Sequence, residues 1–177
     1  MSALRVALDI DIKHKSKNIR AGWDSLGISL SALGELTRDP STLAEAVDAL
    51  RTALALRDSK ADQLDWARTQ SNLALAQRYL GDVTDDRTML NTARQGYGAC
   101  EALDYQTGAP FIWARLQWNI ADLSLVRYRL DPDPALLSEA KTHVTAARAF
   151  FVDGSDYQTE RCDDLLTKIK TAKVARA

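Results

Sequence analysis

Apolar residues in this chain recur at intervals of three and four, which is typical of helices with one buried face. One segment shows the spacing clearly through Leu43, Val47, Leu50 and Leu54. A second kind of segment places Trp66, Leu73 and Leu80 seven residues apart, again along one helical face. No stretch alternates apolar and polar residues as a half-buried strand would. The pattern predicts an all-α fold.

The two kinds of segment alternate and repeat with a period of 47 residues. Leu43, Leu90 and Leu137 are 47 apart, and the phrase that begins Trp66-Ala67-Arg68 returns at Trp113-Ala114-Arg115. Such a period indicates stacked units, each too small to bury its apolar face alone. We therefore expect a helical-hairpin solenoid that works through the surface created by stacking.

Carrying the period outward predicts eight helices in a single repeat domain over residues 1–177. Residues 1–15 form a half-unit, followed by units at 16–58, 62–104 and 110–151 and a closing helix within 156–177. The last helix aligns best 46 residues after its predecessor, with Leu166 over Ile120. The predicted helices are 2–11, 16–36, 41–58, 62–80, 87–104, 110–130, 134–151 and 156–174.

Glycine and proline mark the expected helix ends. Gly34 and Gly81 are one period apart, and glycine there is expected to end the helix in the left-handed conformation. Pro40 suits the first turn of the next helix, with Ser41 or Thr42 as its cap.

Composition narrows the function classes. The net charge is −1, so charge gives no reason to expect nucleic-acid binding. No apolar run approaches the ~18 residues of a membrane span, and the first residues lack a signal peptide's apolar centre. Cys100 and Cys162 have no metal-type spacing; Cys100 falls in a small buried slot one period after Ala53. We expect a cytoplasmic protein with no membrane contact, cofactor or metal.

Within one unit, Asn72-Leu73-Ala74-x-Ala76 followed by Gly81-Asp82 resembles the tetratricopeptide repeat (TPR). The second helix has that family's two small residues seven apart, as at Ala46 and Ala53. The common repeat has 34 residues, and longer connections account for 47. The Trp-Ala-Arg phrase is similar to a long-unit variety found in bacterial proteins, and the resemblance implies a right-handed α-solenoid. HEAT-type helical pairs are the alternative fold, and only the length of the period favours them.

The resemblance implies a ligand groove lined by the first helix of each unit. In that family the positions of Arg68, Arg115 and Arg161 face the concave side. The asparagines four residues after the first two arginines, Asn72 and Asn119, face it as well. Guanidinium groups pair bidentately with carboxylates, so this row suits an acidic or C-terminal peptide. Alternatively, the arginines pair only with acids such as Asp65 or Glu101. The predicted groove residues are Arg68, Asn72, Tyr79, Arg115, Trp118, Asn119, Asp122 and Arg161.

No motif in the sequence points to catalysis. His14 and His143 are not paired with cysteine at metal spacing, and there is no phosphate loop or nucleophile elbow. We expect a non-enzymatic adaptor that binds a protein or peptide. Two alternatives stay open: weak self-association through the N-terminal half-unit, where Leu4, Val6, Leu8 and Ile10 expose apolar surface, and a sensor domain for a small ligand.

Overall fold

The computed structural model describes residues 19–57, 63–103 and 106–174, and the regular secondary structure in these ranges is helical. Seven of the predicted helices are thereby confirmed, the last three to the residue. The predicted helix at 2–11, with Leu4, Val6, Leu8 and Ile10, lies outside the described residues, as does His14. The helices are α1 (Ile19–Thr37), α2 (Pro40–Ala55), α3 (Gln63–Val83), α4 (Arg87–Glu101), α5 (Pro110–Leu130), α6 (Pro134–Phe151) and α7 (Asp156–Val174).

The chain divides into two compact units, residues 1–99 and 100–177. In the first unit, α2 packs against α1 and α3, and α1 also contacts α3. In the second, α6 packs against α5 and α7, and α5 touches α7. Helix α4 belongs to the first unit as far as Ala99. The single repeat domain stays a prediction. Among the described helices, none is both long and apolar enough to span a bilayer.

An aspartate, rather than Ser41 or Thr42, caps the N-terminus of α2. Asp39 has an extended backbone, and its carboxylate accepts hydrogen bonds from Thr42 N at 2.9 Å and Ser41 N at 3.3 Å. The Thr42 hydroxyl also donates to it, and these bonds hold the pKa of Asp39 below its usual range. Expecting a hydroxyl cap was wrong because Pro40 takes the first helical position, which makes the residue before it the cap.

This cap recurs with the 47-residue period. Asp86 accepts from Thr88 N at 2.8 Å and Met89 N at 3.0 Å at the start of α4, and Asp133 accepts from Ala135 N at 2.9 Å at the start of α6. Each carboxylate satisfies backbone donors that a helix start leaves without partners. The three second-type helices therefore begin in the same way.

The glycines near the ends of α1 and α3 do not turn the chain. Both helices continue past Gly34 and Gly81, and none of the glycines in the described ranges has a positive φ. Among the residues that the structure describes, the left-handed ones are Arg38 and Asp85, each with φ 52° and again one period apart. The expected glycine helix stop was therefore wrong: α1 ends three residues after Gly34 and α3 ends two residues after Gly81, and in both turns the left-handed residue comes four residues after the glycine.

Gly34 and Gly81 instead allow two helices to approach closely. A Cβ at Gly34 would lie 2.6 Å from Leu43 Cγ, and one at Gly81 would lie 2.8 Å from Leu90 Cδ2. Both leucines are fully buried. Because real Cβ atoms do not approach so closely, only glycine fits at these points. Gly27 has the same relation to Leu50, so α1 and α2 interdigitate at two levels.

The third helical pair departs from this rule. Tyr128 stands 47 residues after Gly81 and is buried in the core of the second unit with Leu137, the counterpart of Leu90. The turn differs as well, since the position of Arg38 and Asp85 is Pro132, which cannot adopt a positive φ. Helix α5 accordingly ends at Leu130 with Asp131 as its extended C-cap.

The small positions of the second-type helices lie in the core. All six residues that match the two small slots are 0% exposed, so the inside–outside assignment of these helices is confirmed. They pack where the neighbouring helix approaches, and Cys100 behaves there as a small apolar side chain. The six are Ala46, Ala53, Ala93, Cys100, Ala140 and Ala147.

Glycine-to-alanine changes should distinguish the effect of close helix contact on stability from the effect of helix propensity. Gly34→Ala or Gly81→Ala should destabilise the protein by about 1–3 kcal/mol through overpacking. Gly98→Ala is the matched control, because Gly98 lies within α4 and its nearest foreign atom is the flexible Arg94 Nη1 at 3.4 Å. It should stabilise by roughly 0.5–1 kcal/mol. Urea denaturation measures all three; stabilisation at all sites would contradict the close-approach argument.

Candidate functional site

The predicted groove residues lie on three first-type helices. In the first unit, α3 carries part of the set; in the second unit, α5 and α7 carry the rest. The α3 members are Arg68, Asn72 and Tyr79, the α5 members are Arg115, Trp118, Asn119 and Asp122, and Arg161 is on α7.

An arginine stacked on a tryptophan joins α5 to α7. The Arg161 guanidinium carbon lies 3.9 Å from the centroid of the Trp118 ring, and Trp118 Nε1 donates to the Arg161 carbonyl at 3.4 Å. The guanidinium is also 5.9 Å from the ring of Tyr157, which is 66% exposed. A cation over an aromatic face is attracted by the ring quadrupole, so the stack fixes the side-chain direction of Arg161.

Arg115 extends this patch along α5. It is exposed, three residues before Trp118, and forms no ion pair with any residue in the described part of the chain. Residues three apart on a helix are neighbours on its surface. We call Arg115, Trp118, Tyr157 and Arg161 the arginine–aromatic surface. It presents two guanidinium groups beside two aromatic rings.

The asparagine and the acid of the predicted set lie deeper on α5. Asn119 is 9% exposed and Asp122 is half-buried. Asn119 therefore borders the core of the second unit, whereas its counterpart Asn72 on α3 is half-buried. The two asparagines are equivalent in sequence but not in exposure.

In the first unit, Arg68 is already paired. Its Nη1 lies 3.6 Å from Asp65 Oδ1, as the alternative interpretation of the arginines anticipates, and its side chain is still 62% exposed. Asp65 also contacts Arg57 Nη1 at 3.4 Å. Tyr79 is half-buried, with the guanidinium carbon of Arg78 5.0 Å from its ring centroid. Exposed ion pairs of this kind contribute about 0–1 kcal/mol.

A buried ionic network in the first unit escaped the sequence analysis. Asp24 pairs with Arg57, and Thr69 Oγ1 donates to Asp24 Oδ1 at 2.9 Å. The Arg57 and Asp24 side chains are only 10% and 15% exposed. The network ties α1 to α3 and to the segment after α2. The positions one period after Asp24 and Thr69 are Ser71 and Leu116, so the period could not reveal it.

A second polar contact lies between α5 and α6. His143 Nδ1 is 2.6 Å from Gln117 Oε1 and 3.9 Å from Glu101 Oε1. When Nδ1 carries a proton, the ring donates it to this carbonyl oxygen. One period earlier the counterparts are Gln70 and Gly96, where a Cβ would lie 2.5 Å from the glutamine Nε2. The glutamine thus faces the same position of the second-type helix in both repeats, and the residue at that position changes from glycine to histidine.

Neither cysteine is poised for chemistry. Both are fully buried free thiols. Burial, aided by the charge of Glu101, raises the pKa of Cys100 to about 12, and burial also raises the pKa of Cys162. In the part of the chain that the structure describes, no group of three or more His, Cys, Asp or Glu side chains could hold a metal ion.

Comparison of this chain with protein-family models, with curated proteins and with solved structures gives no match. What the chain binds must therefore be inferred from its own residues.

Because the thiolate is the reactive form, we expect both thiols to resist alkylation by iodoacetamide at pH 8 in the native protein. Both should react fully in guanidinium chloride. Mass spectrometry over time counts the modified thiols, and rapid single alkylation under native conditions would contradict the burial of these residues.

The raised pKa of Cys100 also predicts alkaline destabilisation. Its folded value of about 12 exceeds the ordinary 9.0, so its contribution to stability is full below pH 9 and is lost as the pH rises towards 12. For one such group the slope is about 1.4 kcal/mol per pH unit. Cys100→Ala, which installs the residue found at Ala53 and Ala147, should remove this slope. Urea denaturation of both proteins between pH 8 and 10.5 measures the slope. Lysine and tyrosine titrate in both proteins, so the difference between the two slopes reports Cys100 alone.

Proposed function

We propose that this chain is a non-enzymatic protein-interaction scaffold of the TPR type, a right-handed α-solenoid that binds an acidic or C-terminal peptide segment. Its ligand groove is formed by the first-type helices. The scaffold acts in the bacterial cytoplasm and needs no cofactor.

Recurrence of local geometry supports the repeat interpretation. The aspartate caps at Asp39, Asp86 and Asp133 are each one period apart, as are the left-handed residues Arg38 and Asp85. Repeats of this kind build extended binding surfaces rather than enclosed active sites.

The arginine–aromatic surface is the observation that carries the proposal. Arg115 is exposed and lacks an ion-pair partner among the described residues, and Arg161 is oriented by Trp118 at 3.9 Å. A pre-oriented guanidinium loses little side-chain entropy on binding and forms bidentate bonds to a carboxylate. Trp118 and Tyr157 supply rigid contact area, and such residues with arginine dominate binding energy at interfaces.

Arg68 contributes the same chemistry in the first unit. Its pairing with Asp65 is exposed and worth little, so a ligand carboxylate can replace that partner at small cost. Asn72, four residues on, supplies the amide that bonds the peptide backbone in this proposal.

A peptide pool with free C-terminal carboxylates should bind better than the same pool with C-terminal amides. Loss of a desolvated charged contact costs about 1.5–3 kcal/mol, so we expect a difference of about tenfold or more. Arg68→Ala with Arg115→Ala should abolish the preference, and binding should weaken between 50 and 300 mM salt because exposed charges are screened. Fluorescence anisotropy with labelled pools measures each effect.

The control is Arg20→Ala with Lys168→Ala, which removes one exposed cation from α1 and one from α7. Circular dichroism confirms that both double variants fold. Equal binding of carboxylate and amide pools, or equal losses in the two double variants, would refute a carboxylate-specific groove.

Self-association is the second candidate function, and exposed apolar residues on α1 favour it. Ile28, Leu33 and Leu36 are 48%, 50% and 84% exposed, an unusual density for one helix of a soluble unit. The predicted N-terminal half-unit lies outside the described residues.

Light scattering between about 1 and 200 μM should show weak, concentration-dependent association, which Leu33→Glu with Leu36→Glu should suppress by adding charge to the patch. A change from Arg20 to Glu on the same helix serves as the charge control. A strict monomer over this range would exclude this candidate and leave the peptide-binding proposal untouched.

A further inference from the structure

A cavity of about 790 Å³ opens in the second unit beside α6 and the C-terminal half of α7. Its lining combines an apolar floor with a basic rim. The floor includes Leu137, Leu166 and Ile169, and the rim consists of Lys141, Lys170 and Lys173. None of these lysines forms an ion pair with a residue in the ranges the structure describes, and no acidic residue there lines the cavity.

Helix α5 shows what the equivalent face of α7 is built to contact. Residues of α7 match those of α5 at a spacing of 46, and the matched core positions are all buried. They are Leu116 with Cys162, Asn119 with Leu165, and Leu123 with Ile169. The two first-type helices therefore present corresponding faces.

On α5 this face meets an acidic residue of the second-type helix. Ser124 Oγ lies 2.8 Å from Glu139 Oε2 of α6, and Arg127 Nη1 lies 3.8 Å from the same oxygen. Ile120, one turn before Ser124, is fully buried.

The corresponding residues of α7 are Leu166, Lys170 and Lys173, and all three line the cavity. Leu166 is only half-buried, in contrast to Ile120. A lysine replaces the serine and a second lysine replaces the arginine, so this face has one positive charge more than its α5 counterpart. It has the apolar and basic elements of a paired helix face, without the carboxylate.

We propose that an acidic amphipathic helix of a partner protein docks in this cavity and pairs with α7 as α6 pairs with α5. Its apolar side packs on the half-buried Leu166, beneath which Ile169 belongs to the core, and its carboxylates reach Lys170 and Lys173. Lys141, from α6, flanks the same helix on the other side.

The chain's own neighbouring residues do not match this chemistry. Residues 165–177 contain no acidic side chain, so the carboxylate that Glu139 supplies to Ser124 and Arg127 has no counterpart among them. None of the cavity-lining residues belongs to the arginine–aromatic surface, so this docking does not depend on the proposed peptide groove.

A helix-stapled peptide of leucine, alanine and glutamate, with its glutamates on one edge of the apolar face, is the probe. The staple holds the peptide helical before it binds, so little conformational entropy is lost on binding. The same peptide with lysine in place of each glutamate is the matched control. We expect the acidic peptide to bind the full chain with a measurable Kd, and the basic peptide to bind at least about tenfold more weakly.

Variants of α7 locate the site. Lys170→Glu with Lys173→Glu should weaken the acidic peptide about tenfold and restore binding of the basic one. Lys168→Glu and Lys168→Ala change a cation of the same helix outside the cavity and should alter binding less than about twofold. Leu166→Ala should weaken both the original and the charge-swapped pair, and Arg115→Ala should leave both unchanged.

Three results would overturn the proposal: no binding of the acidic peptide, equal binding of acidic and basic peptides, or equal effects of the Lys168 and Lys170–Lys173 changes. Dodecanoate tests a small amphiphile as occupant. If it binds through Lys170 and Lys173 while the peptide does not, the cavity is a small-ligand site instead. If the peptide is excluded only at concentrations where the protein self-associates, the occupant is a second copy.

Discussion

Close approach of paired helices is the constraint on which the first unit depends. At Gly27, Gly34 and Gly81 the facing leucine occupies the space of a Cβ, so the helix axes lie closer than any larger residue permits. Gly27 and Gly34 are seven residues apart, as are Leu43 and Leu50, and α1 and α2 therefore lock in a single register. The turns after α1 and α3 must be short to bring the paired helices this close. Each turn therefore requires a left-handed residue followed by an aspartate cap.

The polar contacts that distinguish one unit from another occur at positions where the repeats differ in sequence. Equivalent positions of three first-type helices hold Trp23, Gln70 and Gln117. The positions that face them on the second-type helices hold Ala49, Gly96 and His143. Trp23 shares an apolar cluster with Ala49, Gln70 occupies the space above Gly96, and Gln117 bonds to His143. The helices keep their pairing while the side chains between them change in size and polarity, and this gives each unit its own contacts.

Periodicity predicted the helices because it records the apolar faces that packing requires, and all six small slots are buried as expected. It did not assign roles within the turns. Gly34 and Gly81 suggested a helix stop, yet they serve packing; the stop lies at Arg38 and Asp85, residues whose type gives a weaker signal. Likewise, the candidate arginines share one sequence position, but Arg68 pairs locally while Arg161 stacks on Trp118. Such partners depend on side chains outside the repeat pattern.

The two kinds of connection in the repeat differ in their tolerance to insertion. The turns after α1 and α3 are each held by an aspartate cap and by a glycine–leucine contact, so an added residue there would break several interactions at once. The other connection carries Gly108 and Gly154, where an added Cβ would meet no atom within 4 Å, and the single-residue change from 47 to 46 occurs before α7. Sequence drift in length should therefore accumulate on that side alone, and a fluorophore or affinity handle placed at either glycine would leave the helical pairs intact.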